Sequence, residues 1–245
     1  AKAIVADYFY LFNKEIFSKF SLKSGKQMED FIVIVDEGHN LADRVRDLLS
    51  VNLSTYILDR AFNEARDNGY SEVISFLTNL NNYLVELFGK KNHETLVKKE
   101  GFIKAVSEIN EGVEYETFGE ENNDAVSAVD SYTQIQEELE NIGFEILKKK
   151  KRSFILLVAF FLEKWLGPDE GYARIISSRK GRNTIYTLSY KCLDPSLITE
   201  EIIDSVHSLI IMSGTLVPLK FYKDVLGFDK EAKIHSYKSP FPNKN

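Results

Sequence analysis

The sequence predicts an α/β protein in which a parallel-sheet domain is interrupted by a mostly helical insert. Three observations carry this. Phe31–Val35 (FIVIV) is a run of β-branched and aromatic residues and Ser208–Met212 (SLIIM) is apolar after its first residue, each followed at once by small or acidic residues. Such runs are the pattern of strands in a covered parallel sheet. Between them the apolar period changes from that of strands to that of helices. The chain has 245 residues, 44% of them hydrophobic, which suffices for one large domain or two ordinary ones.

The elements follow in order. Lys2–Tyr8 (KAIVADY) is expected to form a buried strand and Tyr10–Phe20 a short amphipathic helix behind it. A polar stretch from Ser21 to Asp30 leads into Phe31–Val35, expected to be covered on both faces. Ser71–Phe88 places Val73, Ile74, Leu77, Leu80, Leu84, Leu87 and Phe88 on one helical face. Glu94–Ile109, Asp124–Lys150 and Ser153–Leu166 also read as helices, the last apolar almost all round and therefore central. Gly167-Pro168 stops the helices. Tyr172–Ser178 and Thr184–Cys192 then read as two strands around Lys180-Gly181-Arg182-Asn183. The expected division is 1–61 and 171–245 for the sheet domain and 62–170 for the insert.

Charge agrees with that division. The formal charge is -6, from 31 Lys+Arg and 37 Asp+Glu. Residues 62–170 carry 12 basic and 21 acidic side chains, a net of -9, which leaves +3 for the remainder. Glu111–Asp124 is the densest acidic stretch and reads as a solvated loop. Lys148–Arg152 (KKKKR) reads first as a cationic helix C-terminus and second as a phosphate grip. The composition excludes a histone-like basic protein and a disordered chain. The single cysteine, Cys192, excludes an internal disulfide, a thiolate zinc site and an iron–sulfur cluster held within these residues. The longest apolar run falls well short of the roughly 20 residues that span a bilayer, so no membrane association is expected.

The chemistry concentrates at Asp36-Glu37-Gly38-His39, directly after FIVIV. In open α/β sheets ligands bind beyond the carboxyl ends of the strands, where these side chains fall. Two adjacent carboxylates there suit a nucleotide hydrolase: one holds Mg²⁺, the other orients and deprotonates a water. The structural alternative is a capping aspartate and a first-turn acid.

Together these residues resemble a family. Strand-DEGH-Asn-Leu looks like the DEAH-type Walker B box of superfamily 2 helicases, in the XPD/DinG branch. Ala6–Leu11 (ADYFYL), Ser50–Ser54 (SVNLS), Cys192–Leu197 (CLDPSL) and Ile210–Leu219 (IIMSGTLVPL) resemble segments flanking the box and helicase motif III. The insert matches the family's Arch domain in length, position and helical character. The resemblance implies a partial RecA-like motor domain 1 with an Arch-like insert, the chain being a piece of a longer helicase that ends at the doorstep of motor domain 2, near Ser239-Pro240-Phe241-Pro242.

The resemblance also implies roles. Asp36 would coordinate Mg²⁺ in Mg-ATP, and Glu37 would polarise the water attacking the γ-phosphate. His39 would communicate with motif III, where Ser213, Gly214 and Thr215 would couple nucleotide state to movement of DNA-binding surfaces. Gly38 departs from the family's usual alanine, and glycine loosens the backbone there. ATP hydrolysis would drive 5′ to 3′ translocation on single-stranded DNA and unwinding of forks in DNA repair, by a monomer. Such a protein would be cytoplasmic in an archaeal-like prokaryote, or nuclear in a eukaryote. Neither Ser24-Gly25-Lys26-Gln27 nor Gly89-Lys90-Lys91 supplies the phosphate-loop pattern. A [4Fe–4S] cluster is expected of the intact family member, with no ligands in these residues. Two alternatives remain: a catalytically silent DNA-binding or scaffold relative, and a metal-dependent hydrolase or nuclease using Asp36 and Glu37 directly.

Elsewhere, Arg174, Arg179, Lys180 and Arg182 cluster at the predicted hairpin as candidate phosphate contacts, with a solvated turn as the alternative. Trp165 reads as a core anchor and Cys192 as a buried strand residue. His93, His207 and His235 lie in no metal-ligand spacing.

Overall fold

The computed structural model describes residues 3–91, 93–112 and 125–238. In chain order its elements are α1 (Phe9–Phe12), α2 (Lys14–Ser24), β1 (Ile32–Val35), α3 (Leu41–Leu49), β2 (Val51–Ser54), α4 (Thr55–Asn68), α5 (Ser71–Lys91) and β3 (Thr95–Leu96). Then come α6 (Lys99–Glu111), α7 (Ala125–Lys149), α8 (Phe154–Trp165), β4 (Tyr172–Arg179), β5 (Ile185–Cys192), α9 (Ser196–Ser205), β6 (Ser208–Ile211) and α10 (Leu219–Val225). They form two compact units, residues 1–49 with 193–245, and residues 50–192.

The first unit is built on β1 and β6, which pair in parallel with Val33 opposite Leu209 and Val35 opposite Ile211. Parallel pairing of strands this far apart in sequence is the expected α/β architecture. Phe12, Val35, Leu41, Val45, Ile198, Ile202 and Leu226 form its core. Only one face of the pair is covered: Ile32 and Ile34 are 65% and 60% exposed. The expectation of a strand buried on both faces therefore fails among the described residues.

Lys2–Tyr8 is not a strand either. Ala3–Asp7 has no regular structure, and Val5 is fully exposed. An apolar run becomes a strand only where a ladder partner satisfies its backbone, and none of the described strands pairs with this one. The single helix expected over Tyr10–Phe20 is two. Asn13 adopts an extended conformation, and its side chain accepts hydrogen bonds from the amides of Glu15 and Ile16, capping α2.

The second unit joins a helical bundle to an antiparallel sheet in the order β2-β5-β4-β3. Its boundaries are wider than 62–170 because β2 pairs with β5, Leu53 opposite Leu188. That pairing brings residues 50–61 and the β4–β5 hairpin into the unit. The hairpin segment 171–192 carries five basic and no acidic side chains. Counted over the structural boundaries, the net charges are -4 for residues 50–192 and -2 for the rest. The sharp charge contrast belongs to the helices alone.

Helix α8 runs through the core beside α7, its Ile155, Val158, Ala159, Phe161, Leu162 and Trp165 buried. It is not covered all round, since Leu157 and Phe160 are exposed. The α7–α8 approach is close: a Cβ at Gly143 would stand 2.8 Å from the Leu156 backbone. Glu64 on α4 is buried, and one of its oxygens accepts from Ser153 Oγ (2.8 Å) and the amides of Phe154 (2.7 Å) and Ile155 (2.9 Å). A carboxylate thus meets the positive end of α8. The segment expected as one helix from Glu94 begins instead with β3, and α6 starts only at Lys99. Thr95–Leu96 finds an edge on β4, Thr95 opposite Ile176, which the helical period could not reveal. Residues 113–124, most of the expected acidic loop, and 239–242 lie outside the described residues.

Candidate functional site

The carboxyl ends of β1 and β6 in the first unit gather the residues singled out by the sequence. The ladder is extended past Val35 by the Met212 amide donating to the Val35 carbonyl (2.9 Å) and the Gly38 amide donating to the Met212 carbonyl (3.0 Å). Between these bonds the chain reverses at Glu37, whose φ of 49° and ψ of 40° are left-handed. Among the described residues it is the one non-glycine with positive φ. Such a conformation costs about 1–3 kcal/mol and persists where surrounding bonds over-determine it. A short 3₁₀ turn, Gly38–Asn40, then leads into α3.

The reversal sets the Glu37 carboxylate against two partners. Its Oε2 lies 3.2 Å from Ser213 Oγ and 3.2 Å from His39 Nδ1, while Ser213 Oγ lies 2.8 Å from His39 Nδ1. The Thr215 amide donates to Ser213 Oγ at 3.2 Å. One proton assignment satisfies the group: His39 Nδ1–H and the Thr215 amide donate to Ser213 Oγ, whose hydroxyl donates to Glu37. Thr215 Oγ1 stands 3.3 Å from the same oxygen. Gly214 sits between them with open space where a side chain would project.

Asp36 is exposed, and its Oδ1 accepts from the Glu37 amide at 2.9 Å. No group of three or more His, Cys, Asp or Glu side chains able to cage a metal occurs among the described residues. Mg²⁺ needs no such cage, because it is held by one or two carboxylates, waters and substrate phosphates. Asp36 fits that limited demand; a nuclease-type metal cluster finds no support.

Gly38 is a steric requirement. A Cβ there would lie 2.1 Å from Ile211 Cγ2 on the neighbouring strand. The expected loosening does not occur, since Gly38 is buried and its amide is bonded to Met212.

Comparisons with known proteins bear on the sequence and the fold. Residues 1–58 match the DEAD_2 family model. The ATP-dependent DNA helicase CHL1 of Vanderwaltozyma polyspora is 24% identical over 244 residues, 92% of this chain and 28% of that protein. An apo XPD structure matches at 21% identity with a TM-score of 0.51, over 90% of this chain and 37% of that one. An XPD helicase structure matches at 18% and 0.54, over 91% and 33%, and S. tokodaii Xpd4 at 18% and 0.51, over 85% and 39%. The chain aligns with a segment of the XPD-type superfamily 2 helicases.

The resemblance read from the sequence thus holds, and the fold of the chain is that of the matching structures. It spans about a third of their length. The other candidates separate clearly. Arg179, Lys180 and Arg182 are exposed at the β4–β5 tip, free to meet a phosphate. Arg174 is not: its side chain is 4% exposed, paired with Asp169 and donating to the carbonyls of Trp165 and Gly167, both at 2.8 Å. Its guanidinium carbon lies 5.2 Å from the Trp165 ring centre and 4.6 Å from that of Tyr190. The hairpin count included Arg174 because strand alternation does not show which face a long cation takes.

Trp165 is buried against Phe102, as expected of a core anchor, and Cys192 is buried in β5. His93, His207 and His235 are at the surface. Lys148 and Lys149 occupy the last turn of α7, in keeping with a cationic helix terminus. One participant was invisible in the spacing. Tyr8, the end of the expected strand KAIVADY and part of ADYFYL, donates its hydroxyl to the Asp36 carbonyl at 2.7 Å.

Proposed function

We propose that this chain is the middle segment of an ATP-dependent DNA helicase, part of motor domain 1 with an Arch-like lobe. The observation that carries the reading is the Glu37–Ser213–His39 network, which ties the acidic box to the Ser-Gly-Thr segment within hydrogen-bond distance.

Asp36 would hold Mg²⁺ against the ATP phosphates, and the metal supplies neutralisation of charge developing on the transferred phosphoryl group. Glu37 accepts the proton of the attacking water. Its left-handed backbone fixes the carboxylate, so that little reorganisation is needed at the moment of reaction. Ser213 donates to the same carboxylate, so any movement of the Ser213–Thr215 segment changes the basicity and aim of Glu37. His39 holds the other side of Ser213. Nucleotide state and segment position are linked through that hydroxyl, in both directions.

DNA contact would use backbone charge and not base edges, with Arg179, Lys180 and Arg182 as phosphate partners. Single-stranded DNA and forks are the substrates, with translocation 5′ to 3′ and a role in repair. The intact protein would be a monomer in the cytoplasm of a prokaryote, or nuclear in a eukaryote, and would carry a [4Fe–4S] cluster outside these residues. Strand displacement by the full-length protein tests the reading. Forks with a 5′ single-stranded tail should unwind with ATP and Mg²⁺; unwinding confined to 3′ tails would reverse the polarity, and none on either would refute the helicase assignment.

A further inference from the structure

We propose that Tyr8 is a positioning residue for the hydrolysis step, its hydroxyl holding the Asp36–Glu37 turn in the shape that aims the Glu37 carboxylate. The proposal rests on the reading of Glu37 as the base, and on three observations independent of that reading.

The first is the bond itself. Tyr8 Oη lies 2.7 Å from the Asp36 carbonyl and 3.3 Å from the Glu37 carbonyl. Successive carbonyls of an extended strand point to opposite edges. Two that converge on one hydroxyl therefore report the left-handed reversal at Glu37. A donor placed there stabilises the reversed chain and finds no second acceptor in a straight one.

The second is that no other described group bonds the Asp36 carbonyl. The Gly38 amide is tied to Met212, the Asn40 amide donates to the Glu37 carbonyl at 3.0 Å, and the Asp36 side chain accepts from the adjacent Glu37 amide. Among the described residues Tyr8 alone holds the Asp36 carbonyl, at the entry to the reversal. A strained non-glycine conformation persists when its surroundings over-determine it, and removing this hold leaves the Asp36–Glu37 peptide freer to relax.

The third is that Tyr8 is itself anchored. Asp7 Oδ1 accepts from the Phe9 amide at 3.1 Å, and Phe12, one turn on, is 2% exposed in the core of the first unit. The phenol thus reaches across 28 residues from a fixed base. The charged groups facing it are Asp36, Glu37 and Asp7, with Arg44 opposing them.

The test uses the full-length protein. Tyr8→Phe removes one oxygen and should lower kcat of single-strand-stimulated ATP hydrolysis about tenfold, with KM and Mg-ATP affinity within about twofold of wild type. In a Glu37→Asp background, where the shorter side chain already withdraws the base, the same substitution should cost less than about twofold, because Tyr8 acts only through the placement of Glu37. Wild-type kcat in Tyr8→Phe, or a tenfold loss undiminished in the Glu37→Asp background, would overturn the proposal. A parallel loss of Mg-ATP binding would overturn it too, in favour of a purely structural role. A second measurement reads the turn apart from the chemistry: hydrogen exchange of the Gly38 amide should quicken about tenfold in Tyr8→Phe while the urea unfolding midpoint stays close to wild type. Unchanged exchange would overturn the proposal. If the wild-type protein hydrolyses no ATP, the helicase reading fails, and the exchange result still decides whether Tyr8 holds the turn.

Discussion

At the scale of single residues, Gly38 and Ile211 show how a short motif is shaped by its neighbour. The 2.1 Å separation between a hypothetical Cβ at position 38 and Ile211 Cγ2 forces Ile211 to shift, and that is costly because a β-branched side chain in a strand is stiff at χ1. Gly38→Ala should therefore destabilise the first unit by about 1–3 kcal/mol. Ile211→Ala in the same chain should recover part of that loss by removing the methyl group. Calorimetric unfolding of the four proteins of this cycle measures the coupling; additive losses would show that the two positions do not meet. Glu64 is the second case. Its buried carboxylate accepts three hydrogen bonds, two from the first amides of α8. Glu64→Ala should cost about 2–4 kcal/mol in urea unfolding of the second unit, as expected for loss of a charged acceptor facing buried donors. Neither role was legible in the sequence, where Glu64 lies in an unremarked helix. Asp36, Glu37, His39 and Ser213 were legible, because their chemistry is compressed into two short segments after apolar strands.

At the scale of elements, the β4–β5 hairpin carries two predictions. Tyr190 donates its hydroxyl to the Pro168 carbonyl at 2.6 Å and stacks on Tyr172 with ring centres 4.4 Å apart. Burial first, then the neighbouring Tyr172, raise its phenol from 10.0 to about 12. A raised value in the folded state means that folding holds the proton more tightly than the unfolded chain does. Its stabilisation is complete below pH 10 and is lost as pH rises towards about 12. Tyr190→Phe should accordingly show a shallower loss of melting temperature across that interval than wild type; an unchanged alkaline slope would refute the linkage. At the hairpin tip, replacing Arg179, Lys180 and Arg182 by alanine should weaken single-stranded DNA binding by the full-length protein. It should also reduce the log–log salt slope by up to about 2, at roughly 0.7 per phosphate contact. Helix periods predicted α5 and α7 well, since each presents one dominant apolar face, and α8 was legible from a run apolar almost all round. They failed at Lys2–Tyr8 and Thr95–Leu96, where the outcome depends on whether a partner strand lies alongside, a fact no local pattern contains.

At the scale of the whole molecule, the two units follow pairing and not composition. The helical stretch was legible from its period and acidity, but its true limits are set by β2 meeting β5 across more than 130 residues of sequence. A fragment of residues 50–192 should therefore fold by itself with a cooperative thermal transition, whereas 62–170 should not, having lost β2, β4 and β5, whose Leu53, Ile176 and Leu188 are buried in the unit's core. The same folded fragment, with a net charge of -4, should bind single-stranded DNA weakly at physiological salt. The 245-residue chain alone should release no phosphate from ATP above a Glu37→Gln control, because these residues contain no phosphate-loop sequence. The central claim is that Asp36 and Glu37 divide metal binding from proton abstraction in the full-length protein. Single-strand-stimulated phosphate release and Mg-ATP affinity, measured together in Glu37→Gln and Asp36→Asn, test it most directly. Glu37→Gln should abolish turnover with affinity nearly unchanged, and Asp36→Asn should weaken Mg-ATP binding itself. Equal loss of affinity in both variants, or turnover surviving Glu37→Gln, would contradict the account.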